Sequence, residues 1–133
     1  MKIAGAHGGI SVGQDGATHQ ALEEFFQMCS IPNMHVVAGA DSIETERLTD
    51  FCLFDVEGPC YIRFAREATP IVTMKETPLV FGKANVIRFR KESDKFVDAF
   101  ETKLAGDYES EGEGIAIISN GPELAEAMRA AWI

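Results

Sequence analysis

The sequence predicts an α/β fold built on a partial parallel sheet with helices against its faces. Three observations predict it. Short β-rich runs alternate with segments whose apolar residues recur at helical spacing. Glycine or proline breaks separate the two kinds of segment. The order strand, loop, helix, strand, helix, strand is that of parallel strands joined by right-handed crossovers.

The elements follow in order. Lys2 to Ala6 is a short strand ending at His7. A loop with four glycines comes next, His7-Gly8-Gly9-Ile10-Ser11-Val12-Gly13-Gln14-Asp15-Gly16-Ala17-Thr18-His19-Gln20. Ala21, Leu22, Phe25, Phe26 and Cys29 then recur at helical spacing, so residues 18–30 are expected to be an amphipathic helix stopped by Pro32-Asn33. His35 to Ala38 reads as a buried parallel strand. Asp41-Ser42-Ile43-Glu44 has the form of a capping box, and Ile43, Leu48, Phe51 and Cys52 continue a helix to about residue 55. Gly58-Pro59 ends it, and Cys60 to Phe64 is a third strand with Arg66 just past its end.

Residues 67–85 lack helical period and carry Pro70 and Pro78, which reads as a linker over the surface. Ala84 to Phe89 is a strand candidate. The charged stretch 91–113 holds Phe96, Val97, Phe100 and Leu104 at the spacing of a short helix. Ile115 to Ser119 is expected to be a strand, and Pro122 to open a final helix faced by Leu124, Ala127, Met128 and Ala131.

Composition narrows the function. The chain has 133 residues, enough for a core, with 46% hydrophobic residues and a net charge of −9. Phosphate repulsion argues against nucleic acid as a partner. The apolar runs are short of the roughly 20 residues of a membrane span, and the N-terminus does not read as a signal peptide. The three cysteines, Cys29, Cys52 and Cys60, have no metal spacing, which points to reduced, mostly buried thiols in a cytoplasmic protein and to no metal site. The acidic run Asp107 to Glu113 reads as a solvated loop.

The glycine loop carries the chemistry. His7, Asp15 and His19 flank it, and the helix expected at residue 18 would offer free backbone N–H groups to an anion or a polyhydroxylated molecule. Histidine is suited to proton transfer near neutrality. A lone histidine on such a turn is more often structural; the combination is what singles it out. The loop is neither a dinucleotide fingerprint nor a Walker loop. Gly9-x-Ser11-x-Gly13 resembles a serine elbow only superficially, because the helix signal comes too late. Ligands in parallel sheets collect at the carboxyl ends of strands, which places His7 and Arg66 at one edge. Of Arg63 and Arg66, alternation lets at most one face a given cleft. Arg66 is favoured as the anion-gripping one, and Arg63 is left as an ion-pair partner. Phe25, Phe26, Phe51 and Phe54 are expected in the core. Glu44 is expected to serve the helix end.

The His7-to-Gln20 run resembles the signature of the pyrimidine-binding domain of transketolases. Ile31-Pro32-Asn33-Met34, Ala40 to Glu46, and Gly58 to Glu67 match it in order, and Phe81-Gly82-Lys83-Ala84 resembles the start of the family's C-terminal domain. The resemblance covers most of residues 4–88 and returns at 114–132, and is nearest to the C-terminal section of short, split transketolases. It implies an incomplete three-layer fold of the pyrimidine-domain type. Residues 1–69 would be part of that domain, 70–83 a linker, and 84–133 a truncated start of the C-terminal domain with an insertion near 91–113.

The resemblance also implies two-carbon ketol transfer between sugar phosphates with thiamine diphosphate and magnesium. His7 would meet the substrate's phosphate end, Asp15 a hydroxyl, and His19 the reacting carbons, where it would move protons. Arg66 would hold the sugar phosphate. The family's cofactor-activating glutamate and ring-stacking aromatics lie upstream of this loop, and only six residues precede His7. The cofactor-binding residues are therefore unassigned. The chain is expected to be inactive alone and to need a complementary cofactor-binding chain or self-association, since a stripped parallel sheet exposes edges and apolar faces. The competing readings are a fragment of deoxyxylulose-phosphate synthase or of a dehydrogenase E1 β-subunit, and a non-catalytic assembly module.

Overall fold

A computed structural model describes residues 1–132. Three parallel strands form the main sheet: β1 (Lys2–Gly8), β2 (His35–Ala38) and β3 (Cys60–Ala65), in the order β1-β3-β2. The central place of β3 explains its apolar start, since a middle parallel strand is covered on both faces. Cys60, Tyr61 and Ile62 are all buried. The register runs Lys2↔Cys60 to Gly5↔Arg63, then slips so that Gly8 meets Ala65. Helix α1 (Glu24–Cys29) connects β1 to β2. Helix α2 (Ser42–Asp50) connects β2 to β3 and widens into a π turn at Phe51–Asp55.

The capping box is built as expected. The Glu44 N–H donates to Asp41 Oδ1 at 2.9 Å, and the Glu44 carboxylate accepts from the Ala40 N–H at 2.8 Å. One face of α2 packs on the sheet through Val37, Leu48, Cys52, Cys60 and Ile62. Burial pushes the Cys52 thiol up to about 11, with the Cys60 sulfur acting in the same sense.

A second layer lies beyond residue 70. Strands β4 (Asn85–Phe89) and β5 (Phe100–Leu104) form an antiparallel pair. Helix α3 (Leu124–Trp132) follows a single 3₁₀ turn carrying Pro122, as the proline predicted. Ala125 and Met128 pack with Ala40 and Val72 in a second cluster, flanked by Ile87, Phe96 and Phe100. Trp132 stacks on Phe96, with ring centres 5.2 Å apart and planes within 8°.

Five expectations need correction. The helix expected over 18–30 begins only at Glu24, because Ala21 is taken by the sheet: it bridges Gly8, and its carbonyl accepts the Gly9 N–H at 2.7 Å. The helix expected within 91–113 is one 3₁₀ turn, Phe96–Ala99, followed by β5. There β-pairing wins, supported by the Phe89–Phe100 cross-strand contact at 5.7 Å. Residues 115–119 form no ladder, and Ile118 is 98% exposed. A strand exists only where a neighbour takes its backbone groups, and among the described residues none lies beside it. Phe26 and Phe54 are not core residues but 77% and 79% exposed. Finally, the acidic run is not simply solvated. Glu111 and Glu113 pair with Arg88, Glu111 also reaches Arg90 at 3.0 Å, and the Tyr108 hydroxyl bonds Glu113.

The segment expected over 67–85 has no helix or strand before Asn85, where β4 begins, but it does not merely cross the surface. Val72 and Thr73 are buried. Phe81 stacks on Phe51 at 5.4 Å, and the Thr77 carbonyl accepts from the Arg47 guanidinium at 2.7 Å.

Candidate functional site

The candidate site is the carboxyl edge of the parallel sheet, where β1 and β3 end side by side. His7 is half-buried at the end of β1, with φ +62°. A left-handed backbone is uncommon for a residue with a Cβ and is held only where the surroundings demand it. Gly8 then pairs with Ala65, so Arg66 leaves the sheet beside the strand that delivers His7. The expected common edge for His7 and Arg66 is therefore present. Arg66 itself is exposed.

From Gly9 the chain makes a closed loop and returns at Ala21. Two 3₁₀ turns, Gly13–Asp15 and Ala17–His19, shape it. Asp15 and His19 are exposed on it, and buried Val12 anchors it to the body of the protein. The His19 Nδ1 lies 2.9 Å from the Thr18 hydroxyl, which orients the ring. Ser11 is exposed on a turn ahead of the first 3₁₀ segment rather than at a strand-to-helix elbow. The helix terminus expected beside the loop is displaced: α1 begins five positions after His19, is six residues long, and has no side-chain cap. The N–H groups of that short helix therefore do not flank the loop, and His7, His19 and Arg66 are the groups of the predicted site that this edge carries.

Two features go beyond what the sequence showed. Arg63 is in an ion pair, the role left to it, but it also reaches across to the loop. Its Nε lies 2.8 Å from Glu24 Oε1, an ion pair whose N–H does not point along the contact, and its Nη2 donates to the Ala21 carbonyl at 3.3 Å. The guanidinium carbon stands 5.8 Å from the centre of the Phe25 ring. Glycines at 5 and 8 were the available signal: a Cβ at Gly5 would collide with the Tyr61 ring, and one at Gly8 with the Arg63 guanidinium. Burial raises the Tyr61 hydroxyl, the Glu24 charge adds to that, and Arg63 opposes it.

The second feature is Asp41, which does more than cap α2. Its Oδ2 accepts the Val72 N–H at 2.7 Å and the Thr73 N–H at 2.6 Å, and its Oδ1 accepts the Thr73 hydroxyl at 2.8 Å. Burial alone would raise its pKa. The hydrogen bonds from Glu44, Val72 and Thr73 outweigh that and hold it below the ordinary value of 3.8.

A cleft of about 560 Å³ opens at the carboxyl ends of β2 and β3, between the start of α2 and the segment after β3. Thr45, Glu46, Asp50, Arg63 and Glu67 are among its walls, and His7, Asp15, His19 and Arg66 are not. Among the described residues, no three His, Cys, Asp or Glu side chains gather closely enough to hold a metal ion. No described helix is long and apolar enough to cross a membrane.

Comparison with known proteins bears on the family and the fold. Residues 1–72 match the transketolase pyrimidine-binding domain. Over its whole length the chain is 34% identical to a putative transketolase C-terminal section from Methanocaldococcus jannaschii, of which it spans 35%. It is 35% identical over 88 residues to one of the subunits of an apulose-4-phosphate transketolase from Phocaeicola vulgatus, covering 65% of this chain and 28% of that one. A solved split-gene transketolase, described as an inactive β4 tetramer, superposes with a TM-score of 0.53 at 34% identity, over 65% of this chain and 26% of the other. The chain thus spans about a third of the length of the first of these relatives.

Proposed function

Because the chain belongs to the transketolase family through its pyrimidine-binding domain, we propose that it supplies the substrate-facing wall of an enzyme that moves two-carbon ketol units between sugar phosphates. In this reading Arg66 and His7 hold the phosphate end of the sugar, Asp15 orients a hydroxyl, and His19 moves a proton at the reacting carbons. The observation that carries the reading is the juxtaposition of the β1 and β3 ends, which sets the His7 loop beside Arg66. An arginine fork and an imidazole at one strand edge suit an anionic, hydroxylated ligand.

The residues present do not fit a whole thiamine diphosphate with its magnesium. The donor set that a metal-bound diphosphate needs is not gathered among the described residues. The buried carboxylate of Asp41 is taken up by backbone amides and Thr73, and the half-buried Glu24 is ion-paired with Arg63. Thiamine diphosphate and magnesium are therefore assigned to a complementary surface, on a second chain or a second copy of this one. In that arrangement residues 1–69 are part of the pyrimidine-binding domain, 70–83 the link, and 84–133 the start of the following domain with an insertion at 91–113. The three free cysteines suit a reducing, cytoplasmic setting. The description of the solved relative as inactive in its β4 form supports inactivity of this chain on its own.

The test is a ketol-transfer assay with thiamine diphosphate, Mg²⁺ and a sugar-phosphate donor. The chain alone should give no turnover, and adding a cofactor-binding partner chain should restore it. Robust turnover from the chain alone would overturn the need for a partner. Titration of a pentose phosphate should shift the ring signals of His7 and His19 in the isolated chain. Silence at both rings would overturn the residue assignment.

A further inference from the structure

Arg63 has a place that the sugar-phosphate reading leaves unused. Its side chain crosses β1 over Gly8, where a Cβ would overlap Nε and Cζ, and it passes close to Gly9. On the far side it bonds the Ala21 carbonyl, the same oxygen that accepts the Gly9 N–H. It also pairs with Glu24, the first residue of α1, and lies against Phe25. One guanidinium therefore touches the outgoing end of the histidine loop, its returning end, and the helix that follows. The sheet ladder itself ends at this point, with the Gly8–Ala21 bridge as its last contact to the loop.

We propose that Arg63 is a positioning residue, and that the Arg63–Glu24 brace closes the mouth of the 9–21 loop and so sets where Asp15 and His19 stand relative to His7. The functional meaning rests on the sugar-phosphate reading, whereas the brace is a property of the isolated chain. Without it, only the Gly8–Ala21 bridge, with its Gly9 N–H to Ala21 carbonyl bond, closes a loop whose interior has a single buried anchor, Val12. Closing a loop costs chain entropy, and each additional clasp at its mouth lowers the population of open forms. Arginine is suited to this because its extended planar guanidinium can donate to the Ala21 carbonyl from one nitrogen while its charge stays beside Glu24. A lysine places one point charge. The competing role is simple neutralisation of the half-buried Glu24, which a lysine would fill as well.

The experiment is amide hydrogen exchange and histidine ring NMR on the chain, its Arg63→Lys variant and its Gly8→Ala variant. Arg63→Lys keeps a cation opposite Glu24 but not the fork. Gly8→Ala keeps Arg63 but blocks its path. Both should speed exchange at the Gly9 amide by about tenfold, the effect of losing one hydrogen bond, and broaden the His19 ring signals. The Ile62 and Val37 amides in the sheet should stay unchanged. Wild-type protection of Gly9 in Arg63→Lys would make Arg63 a mere counter-ion and overturn the proposal. Equal acceleration at Gly9 and Ile62 in both variants would mean general loosening and would overturn it too. A parallel pentose-phosphate titration separates the two readings. If the wild-type rings do not respond, the sugar-phosphate reading fails and the brace stands. If wild type and Arg63→Lys bind with equal affinity, the brace has no functional reach.

Discussion

Replacing Asp41 with alanine removes a buried carboxylate that accepts four hydrogen bonds, three of them from backbone amides. The bond to the Glu44 N–H is a helix cap, worth about 1 kcal/mol. The Val72 and Thr73 residues are buried and their amides make no other hydrogen bond, so each costs about 1–3 kcal/mol when abandoned. The Thr73 hydroxyl can rotate and adds little. Partial entry of water returns some of this, leaving a loss of roughly 3–5 kcal/mol, a large share of the roughly 5–15 kcal/mol that holds a domain folded. Asn at the same place keeps one oxygen. Facing it toward Val72 and Thr73 leaves the amide nitrogen against the Glu44 N–H, so Asp41→Asn should lose chiefly the cap, about 1–2 kcal/mol.

Urea unfolding measures the difference. With a slope of about 1.5 kcal/mol per molar, Asp41→Ala should lower the midpoint by about 2–3 M and Asp41→Asn by about 1 M. The sign with pH follows from the lowered pKa of Asp41. Its contribution is fully present above the unfolded value of 3.8 and is lost as pH falls through the lower folded value, so the gap between wild type and Asp41→Asn should narrow only below pH 3.8. Equal midpoints for the Ala and Asn variants, or an Asp41→Ala shift under about 0.5 M, would refute the claim that this carboxylate pins the segment after β3 to α2.

Two further predictions rest on other parts of the molecule. Glu113 is held down to about 2, chiefly by the Tyr108 hydroxyl and then by Ser110, so its carboxyl carbon should titrate by NMR near that value and move up toward 4.5 in Tyr108→Phe. An unchanged midpoint in the variant would show that Tyr108 is not the cause. Of the three free thiols, Cys29 alone is exposed, so a thiol reagent should add one label to the native chain and three after denaturation, with Cys52 and Cys60 protected by burial. Rapid labelling of Cys52 in the native chain would contradict the packing of α2 on the sheet.

The strands of the main sheet were legible because each is short, apolar and bounded by glycine or proline. β2 has the bounds read from the sequence, and the cap at Asp41 stands where its spacing put it. The edge that holds His7 and Arg66 was legible for the same reason, since parallel strands deliver their following residues to one side. What failed were segments whose local pattern suits two outcomes. Phe96, Val97, Phe100 and Leu104 fit a helix, but residues 100–104 also alternate, and β4 was there to pair with them. Ala21 and Leu22 fit a helix, but the Ala21 backbone closes onto Gly8 and Gly9. Ile115 to Ser119 fit a strand and had no neighbour to pair with among the described residues.

By itself, then, the sequence determined the α/β class, the family and the loop that bears His7, Asp15 and His19, because composition, period and ordered motifs are local properties of the chain. Tertiary structure alone decided that Arg63 reaches across Gly8 to Ala21 and Glu24, and that Asp41 binds Val72 and Thr73. Those partners lie tens of residues apart. Only the register of β1 on β3, and the return of the segment after β3 over the start of α2, bring donors within hydrogen-bond distance of their acceptors.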